Sequence, residues 1–180
     1  MTKYVALLRG ITPSNPSMSN ENLRAVFRDL GGEEVESVIS SGNIIFKTGS
    51  RETSELEATV EKALKNKLDI QSTAIIYSKD DLQSLVRENP FKNVEDTPQC
   101  KPNVTFLKNR LETEFKFPYH PDNGGFLVLG AHNRAIYSVV NLSQGKTPDL
   151  MRWVEKEFGR ELTTRTWKTV GRILKKLDYL

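Results

Sequence analysis

A chain of 180 residues, 37% hydrophobic and 27% charged with a net charge of +3, is long enough for one large domain or two small ones. No apolar run approaches the ~20 residues of a membrane helix, and the short apolar part of residues 1–10 does not read as a secretory leader. The single cysteine, Cys100, excludes an internal disulfide and fits a reduced, cytoplasmic setting.

Lys3 to Arg9 reads as a strand with Val5, Leu7 and Leu8 buried. Two prolines, Pro13 and Pro16, make the next segment a loop. Ser19 or Asn20 then caps a helix to about Leu30, with Leu23, Val26, Phe27 and Leu30 on one stripe and Gly31-Gly32 ending it. Val35–Ile39 and Ile44–Lys47 read as two strands joined by a tight hairpin, because Gly42 and Asn43 tolerate the positive φ of two-residue turns. A helix from Ser54 to Leu68 and a strand from Ser72 to Tyr77 complete the order β-α-β-β-α-β, the split-βαβ or ferredoxin-like arrangement.

Ser78 caps a short helix whose Asp80 and Asp81 suit its N-terminal dipole, and the helix stops before Pro90. Residues 79–102, this helix and a proline-rich stretch, read as a connection between subdomains 1–78 and 103–180. Strands are expected at Val104–Leu107, Phe115–Phe117, Gly125–Leu129 and Ala135–Val140, with Gly124-Gly125 as a turn. A helix from Thr147 to Phe158 is closed by Gly159, and a last helix begins near Thr164 with Trp167, Val170, Ile173, Leu174 and Leu177 on one face. The fold class is therefore α+β: two ferredoxin-like subdomains with antiparallel sheets packed against helices.

In a ferredoxin-like sheet the first two strands run parallel with the third between them. Arg9 and Gly10 then share one sheet end with Ser41, Gly42, Asn43 and the helix start at Asn20. A guanidinium, an amide, hydroxyls and helix N–H groups suit a small anionic ligand, phosphate- or nucleotide-like; the same residues also serve as an ordinary turn and a surface arginine. A second basic group, Thr164, Arg165, Lys168 and Arg172, reads as hydroxyls at a helix start followed by an outer strip with Lys175 and Lys176. It could meet nucleic acid or an acidic protein, or simply solvate a helix face. Residues 1–89 carry 11 Lys and Arg against 13 Asp and Glu, and residues 90–180 carry 15 against 10, a modest excess for a nucleic-acid binder.

No metal-ligand spacing involves His120 or His132, and no phosphate-loop, dinucleotide or nucleophile-elbow motif occurs, so no metal or cofactor is expected, and the sequence leaves open whether the chain is an enzyme and which residues would be catalytic. RNA stacking on the sheet is disfavoured, since only Tyr4 and Phe46 offer rings where two or three exposed ones are wanted.

Tyr4-Val5-Ala6-Leu7-Leu8-Arg9-Gly10-Ile11, Met18 with Leu23–Gly31, Ser41-Gly42-Asn43-Ile44-Ile45-Phe46 and Thr163-Thr164-Arg165-Thr166-Trp167-Lys168-Thr169-Val170 together resemble a large bacterial family, domain of unknown function 1697. The resemblance runs in order along essentially the whole chain. It implies two linked ferredoxin-like halves and no established activity. Where that family continues after Arg9-Gly10-Ile11 with an Asn, a Gly-Gly pair and a basic residue, this chain has Thr12-Pro13-Ser14-Asn15-Pro16-Ser17, which reads as a proline-set loop.

Overall fold

The computed structural model of the chain describes residues 1–112, 115–121, 125–143 and 147–180. Contacts divide it into two units, Met1–Leu85 with Gly171–Leu180, and Val86–Val170.

In the first unit the elements are β1 (Thr2–Leu8), α1 (Asn20–Asp29), β2 (Glu33–Ser37), β3 (Asn43–Thr48), α2 (Thr53–Leu68), β4 (Ala74–Ser78) and α3 (Lys79–Arg87, of which residues to Leu85 belong here). The sheet order is β2-β3-β1-β4 with every pair antiparallel, the split-βαβ order. One face carries Tyr4, Ala6, Leu8, Ile44, Phe46, Ala74 and Ile76 against Leu23, Val26 and Phe27 of α1 and Leu56, Val60 and Leu64 of α2. The period-2 alternation that builds this face puts Val5, Leu7, Ile45 and Ile75 on the other, and they are equally buried. The last residues of α5 (Trp167–Tyr179) belong to this unit. Lys3 Nζ donates to Leu177 O at 3.1 Å, Lys176 pairs with Glu36 at 2.5 Å, and Lys79 pairs with Asp178 at 2.7 Å.

Local chemistry explains the boundaries. Ser19 Oγ accepts from Asn22 N and so caps α1. At its far end Gly31 (φ +84°) lets Gly31 N and Gly32 N return to Arg28 O and Phe27 O, each at 2.9 Å. The exposed edge of β4 is closed by α2. Glu61 Oε1 accepts from Ala74 N at 2.9 Å, and Glu57 Oε1, on a residue only 1% exposed, accepts from Ile76 N at 2.8 Å. Two backbone donors that could recruit a foreign strand are thereby occupied.

The second unit holds β5 (Cys100–Leu107), β6 (Phe126–His132), β7 (Ala135–Asn141), α4 (Thr147–Phe158), β8 (Leu162–Thr166) and the first residues of α5. Its sheet order is β6-β7-β5-β8, again all antiparallel, so the strand plan of the first unit is repeated. The repetition extends to single bonds. Leu8 N donates to Gly42 O at 2.8 Å and Arg9 N to Thr73 O at 2.9 Å, while Leu107 N donates to Arg134 O at 2.8 Å and Lys108 N to Glu161 O at 2.9 Å. In both units the last strand runs straight into a helix capped by its own final hydroxyl: Ser78 Oγ accepts from Asp81 N at 3.1 Å, and Thr166 Oγ1 from Thr169 N at 3.2 Å.

Three expectations need correction. The last helix does not begin at Thr164, because Leu162–Thr166 is β8, paired with β5 from Asn103↔Thr166 to Leu107↔Leu162. A Leu-Thr-Thr-Arg-Thr run has the β-branched content of a strand, and β5 offers it an open edge. Phe115–Phe117 forms no strand. Its first ring meets Trp153 at 5.5 Å, Tyr119 at 5.5 Å and Phe158 at 5.9 Å, so aromatic packing on α4 occupies this stretch. The turn between β2 and β3 is five residues, 38–42, rather than two. β5 also starts earlier than expected, at Cys100. Pro102 pairs with Val139 of β7, while β8 joins only from Asn103, so the missing N–H faces no β8 partner. Gly124 of the expected Gly124-Gly125 turn lies outside the described residues.

Candidate functional site

The end of the first sheet where β1 finishes gathers the residues singled out from the sequence. Backbone bonds hold Arg9 on both sides: its N–H donates to Thr73 O at 2.9 Å and its carbonyl accepts from Ser72 Oγ at 2.7 Å. Its neighbour Leu8 is tied to Gly42 O at 2.8 Å, which sets the 38–42 turn beside Arg9. Arg9 is half-buried, and Gly10, exposed at φ +73°, has open space around it. Asn20, the first residue of α1, donates from Nδ2 to Ser40 Oγ at 3.3 Å, so the helix start is joined to the same turn.

Within the turn the roles divide. Asn43 is fully buried, and its Nδ2 donates to Val38 O at 3.0 Å and Ser41 Oγ at 2.9 Å. It therefore shapes the turn from beneath. Ile39 carries the positive φ (+53°) expected of the polar residues, and Gly42 (φ +73°) sits where an added Cβ would lie 2.6 Å from Ile11 Cγ1 and 3.0 Å from Leu8 Cβ. The glycine is needed twice, for its angle and for the approach of Ile11.

The loop from Thr12 to Met18, which leads from this end into α1, is set by its own bonds. Asn15 Oδ1 accepts from Ser17 N at 3.0 Å, Asn22 Nδ2 donates to Pro16 O at 3.1 Å, and Pro16–Met18 makes a single 3-10 turn. Prolines and side-chain bonds hold the course that glycines would have left open. Glu21, in the first turn of α1, pairs with Arg24 at 2.5 Å and Arg28 at 2.8 Å. Hydrogen bonds from both guanidiniums hold its carboxyl below the ordinary value of 4.5 and offset the negative charge next to the helix start.

The second basic group is not brought together as a helix start. Thr164 and Arg165 stand on β8, and Lys168 and Arg172 on α5. The Arg165 guanidinium donates to Thr163 Oγ1 at 2.7 Å and Thr164 O at 2.9 Å, and burial lowers its pKa to about 10, leaving it cationic at neutral pH. It braces the strand instead of extending an outer strip.

The matching end of the second sheet carries a cleft of about 610 Å³ beside Leu107, Asn109, Arg110, Glu157, Arg160 and Glu161. It mixes both signs of charge, and Asn109 Nδ2 is spent on Glu161 Oε2 at 3.2 Å. Neither the cleft nor the Asn20–Ser40 contact was readable in sequence, since each depends on segments brought together by pairing. Among the described residues no group of three or more His, Cys, Asp or Glu could hold a metal ion, and no helix is long and apolar enough to cross a membrane.

The fold is that of a tandem α+β protein with two split-βαβ units. A family model, the protein of unknown function DUF1697, matches residues 1–137, and the chain belongs to that family. Its solved relatives in fold include the conserved bacterial protein SP0830 from Streptococcus pneumoniae, with a TM-score of 0.69 at 20% identity over 99% of both chains. No curated protein matches the sequence.

Proposed function

We propose that the chain binds a small anionic ligand, phosphate- or nucleotide-like, at the end of the first sheet where β1 meets the 38–42 turn. The observation that carries this reading is the fixed backbone of Arg9, held at its N–H by Thr73 and at its carbonyl by Ser72. A guanidinium on a rigid, half-buried base loses less freedom on engaging an anion than one on a loose loop. Gly10 leaves room for close approach to the backbone, Asn20 and Ser41 supply neutral partners, and Asn43 acts through the turn it braces.

Thermal unfolding with inorganic phosphate, AMP and ATP tests the reading on wild type and Arg9→Ala. A ligand of the native state raises Tm. A rise in wild type that Arg9→Ala loses supports the site. No rise with any of the three, or an equal rise in the variant, refutes it.

A second reading rests on α5. Lys168, Arg172 and Lys175 are exposed at helical spacing, and none has an ion-pair partner among the described residues. Such a strip would meet nucleic acid or an acidic protein with strong salt dependence. Fluorescence polarisation with a labelled oligonucleotide at low salt, showing no binding or binding that survives charge removal at these three positions, would exclude the nucleic-acid form of it.

A further inference from the structure

The matching bonds of Leu8 with Leu107, and of Arg9 with Lys108, put Ile11 and Arg110 at the same place in the two units. In the first unit Ile11 packs on the core and lies close against Gly42, so an apolar side chain fills that corner of the sheet end. In the second unit Arg110 Nη2 donates to Asn133 Oδ1 at 3.3 Å, and Leu111 N donates to Asn133 O at 2.9 Å. The cleft of about 610 Å³ lies here, between residues 107–112 and residues 157–161, which lead from α4 into β8. Its two walls are tied together. Lys108 N donates to Glu161 O at 2.9 Å, and Arg134 Nε donates to Leu107 O at 2.9 Å. Gly159, at φ +79°, ends α4 with its N–H on Glu155 O at 3.1 Å.

The cleft offers two kinds of surface. Leu111 and Phe158 are half-buried, and the Phe158 ring is held by Trp153 at 5.6 Å and Phe115 at 5.9 Å. Around this fixed apolar surface stand Arg110 and Arg160 of one sign, and Glu112, Glu157 and Glu161 of the other. Most of that charge is not consumed inside the protein. Arg160, 86% exposed, meets Glu155 only at 4.0 Å, and Glu157 meets Lys156 only at 3.8 Å, both beyond hydrogen-bond length. Glu112 has no ion pair among the described residues. Three carboxylates outweigh two guanidiniums, and the C-terminal end of α4 adds roughly half a negative charge. A bare anion such as phosphate is therefore disfavoured, and the occupant has to bring a positive group. The volume falls in the range of about 300–1,000 Å³ usual for small-molecule sites.

We propose that this cleft binds a free amino acid with an apolar side chain, taken up as the zwitterion. The ammonium meets Glu112 and Glu157, the carboxylate meets the guanidiniums of Arg110 and Arg160, and the side chain lies on Leu111 and Phe158. An arginine fork matches a carboxylate in shape as well as in charge. Each exposed pair contributes little by itself, so selectivity comes from satisfying both charges and the apolar surface in one molecule. An amine or an acid alone leaves one set of charges without a counterpart. This site is separate from the Arg9 end of the first sheet and stands or falls independently of it.

Titration of the isotope-labelled full-length protein with phenylalanine, phenethylamine and 3-phenylpropionate, followed by amide chemical shifts, tests the assignment. The two analogues each lack one of the two charges. The expected result is saturable shifts with phenylalanine, confined to residues 107–112, 157–161 and their neighbours, and binding at least several-fold weaker for each analogue. Arg160→Ala should weaken phenylalanine several-fold and leave phenethylamine unchanged, a split that a general loss of structure would not give. Glu112→Gln combined with Glu157→Gln should weaken phenylalanine and phenethylamine together. All three side chains are exposed, and an unchanged spectrum away from the cleft confirms that the variants fold. Absence of saturable shifts with phenylalanine at high millimolar concentration, shifts centred elsewhere, or an analogue that binds as tightly as phenylalanine overturns the proposal.

Discussion

Asn43 and Val38 close the β2–β3 turn through one buried bond, Asn43 Nδ2 to Val38 O at 3.0 Å, alongside the backbone bond from Val38 N to Asn43 O at 2.9 Å. Removing the amide takes a partner from a carbonyl on a residue only 6% exposed. Asn43→Ala is expected to cost about 1–3 kcal/mol. Asn43→Asp should cost more, because it turns a carboxylate toward that carbonyl. Urea unfolding midpoints at neutral pH check both. An Asn43→Ala protein as stable as wild type would show that the bond does not hold the turn.

Gly42 meets Ile11 where a methyl group has no room. Gly42→Ala combines a left-handed backbone with a contact of 2.6 Å to Ile11 Cγ1, and a loss of about 1–3 kcal/mol is expected. The Ile11→Ala change removes the nearest atom, so the double variant should recover part of the loss, leaving the backbone term and the contacts to Leu8 Cβ and Ile11 Cβ at 3.0 and 3.1 Å. A double-mutant cycle in chemical denaturation measures this coupling; strict additivity would mean that the steric contact is not the cause.

Glu57 is a buried carboxyl group placed on the edge of β4. Its bond to Ile76 N predicts that Glu57→Ala destabilises by about 1–3 kcal/mol, the cost of leaving a buried backbone donor without its partner. Glu57→Gln keeps an acceptor oxygen and should lose less. Amide exchange gives a local reading, with the Ile76 N–H losing protection in the alanine variant. Unchanged exchange at Ile76 would count against edge closure by α2.

Acid sensitivity should include a contribution from Glu21. Its folded pKa lies below 4.5 through Arg24 and Arg28, so the stabilisation is present above 4.5 and disappears as pH falls through the folded value. The stability gap between wild type and Glu21→Gln should therefore be level near neutrality and shrink below about pH 4.5. Added salt should reduce it, because the pair is exposed. Thermal unfolding across pH at two salt concentrations follows the effect; a gap that persists undiminished at low pH would contradict the pairing.

Particular residues show where sequence was enough. Leu23, Val26 and Phe27 recur at helical spacing between Ser19 and Gly31, and each signal is local, so α1 is legible before any contact is known. The same holds for Ser78 with Asp81, and for Thr147–Phe158 followed by Gly159. The candidate end of the first sheet was legible through topology, since the strand order of a split βαβ unit brings Arg9 to the 38–42 turn. Its inner roles were not. Asn43 reads as an open turn residue, and only the position of β1 beside it makes it a buried brace.

The second unit shows the limit more sharply. Thr163-Thr164-Arg165-Thr166 satisfies both a helix start and a strand, and the choice belongs to β5, which lends it a hydrogen-bonding edge. Phe115 and Phe117 have strand-like spacing, but the Phe115 ring packs on Trp153 and Phe158 and stacks on Phe117 instead of entering a sheet. Ser138 between Ile136 and Val140 breaks an inward-facing alternation, which is visible in sequence as a polar interruption. Local order, caps and periodicity were thus determined by the sequence itself, through interactions within a few residues. Strand partners, the burial of Asn43 and Arg165, and the cleft between residues 107–112 and 157–161 were decided by tertiary structure, because each depends on segments far apart in the chain.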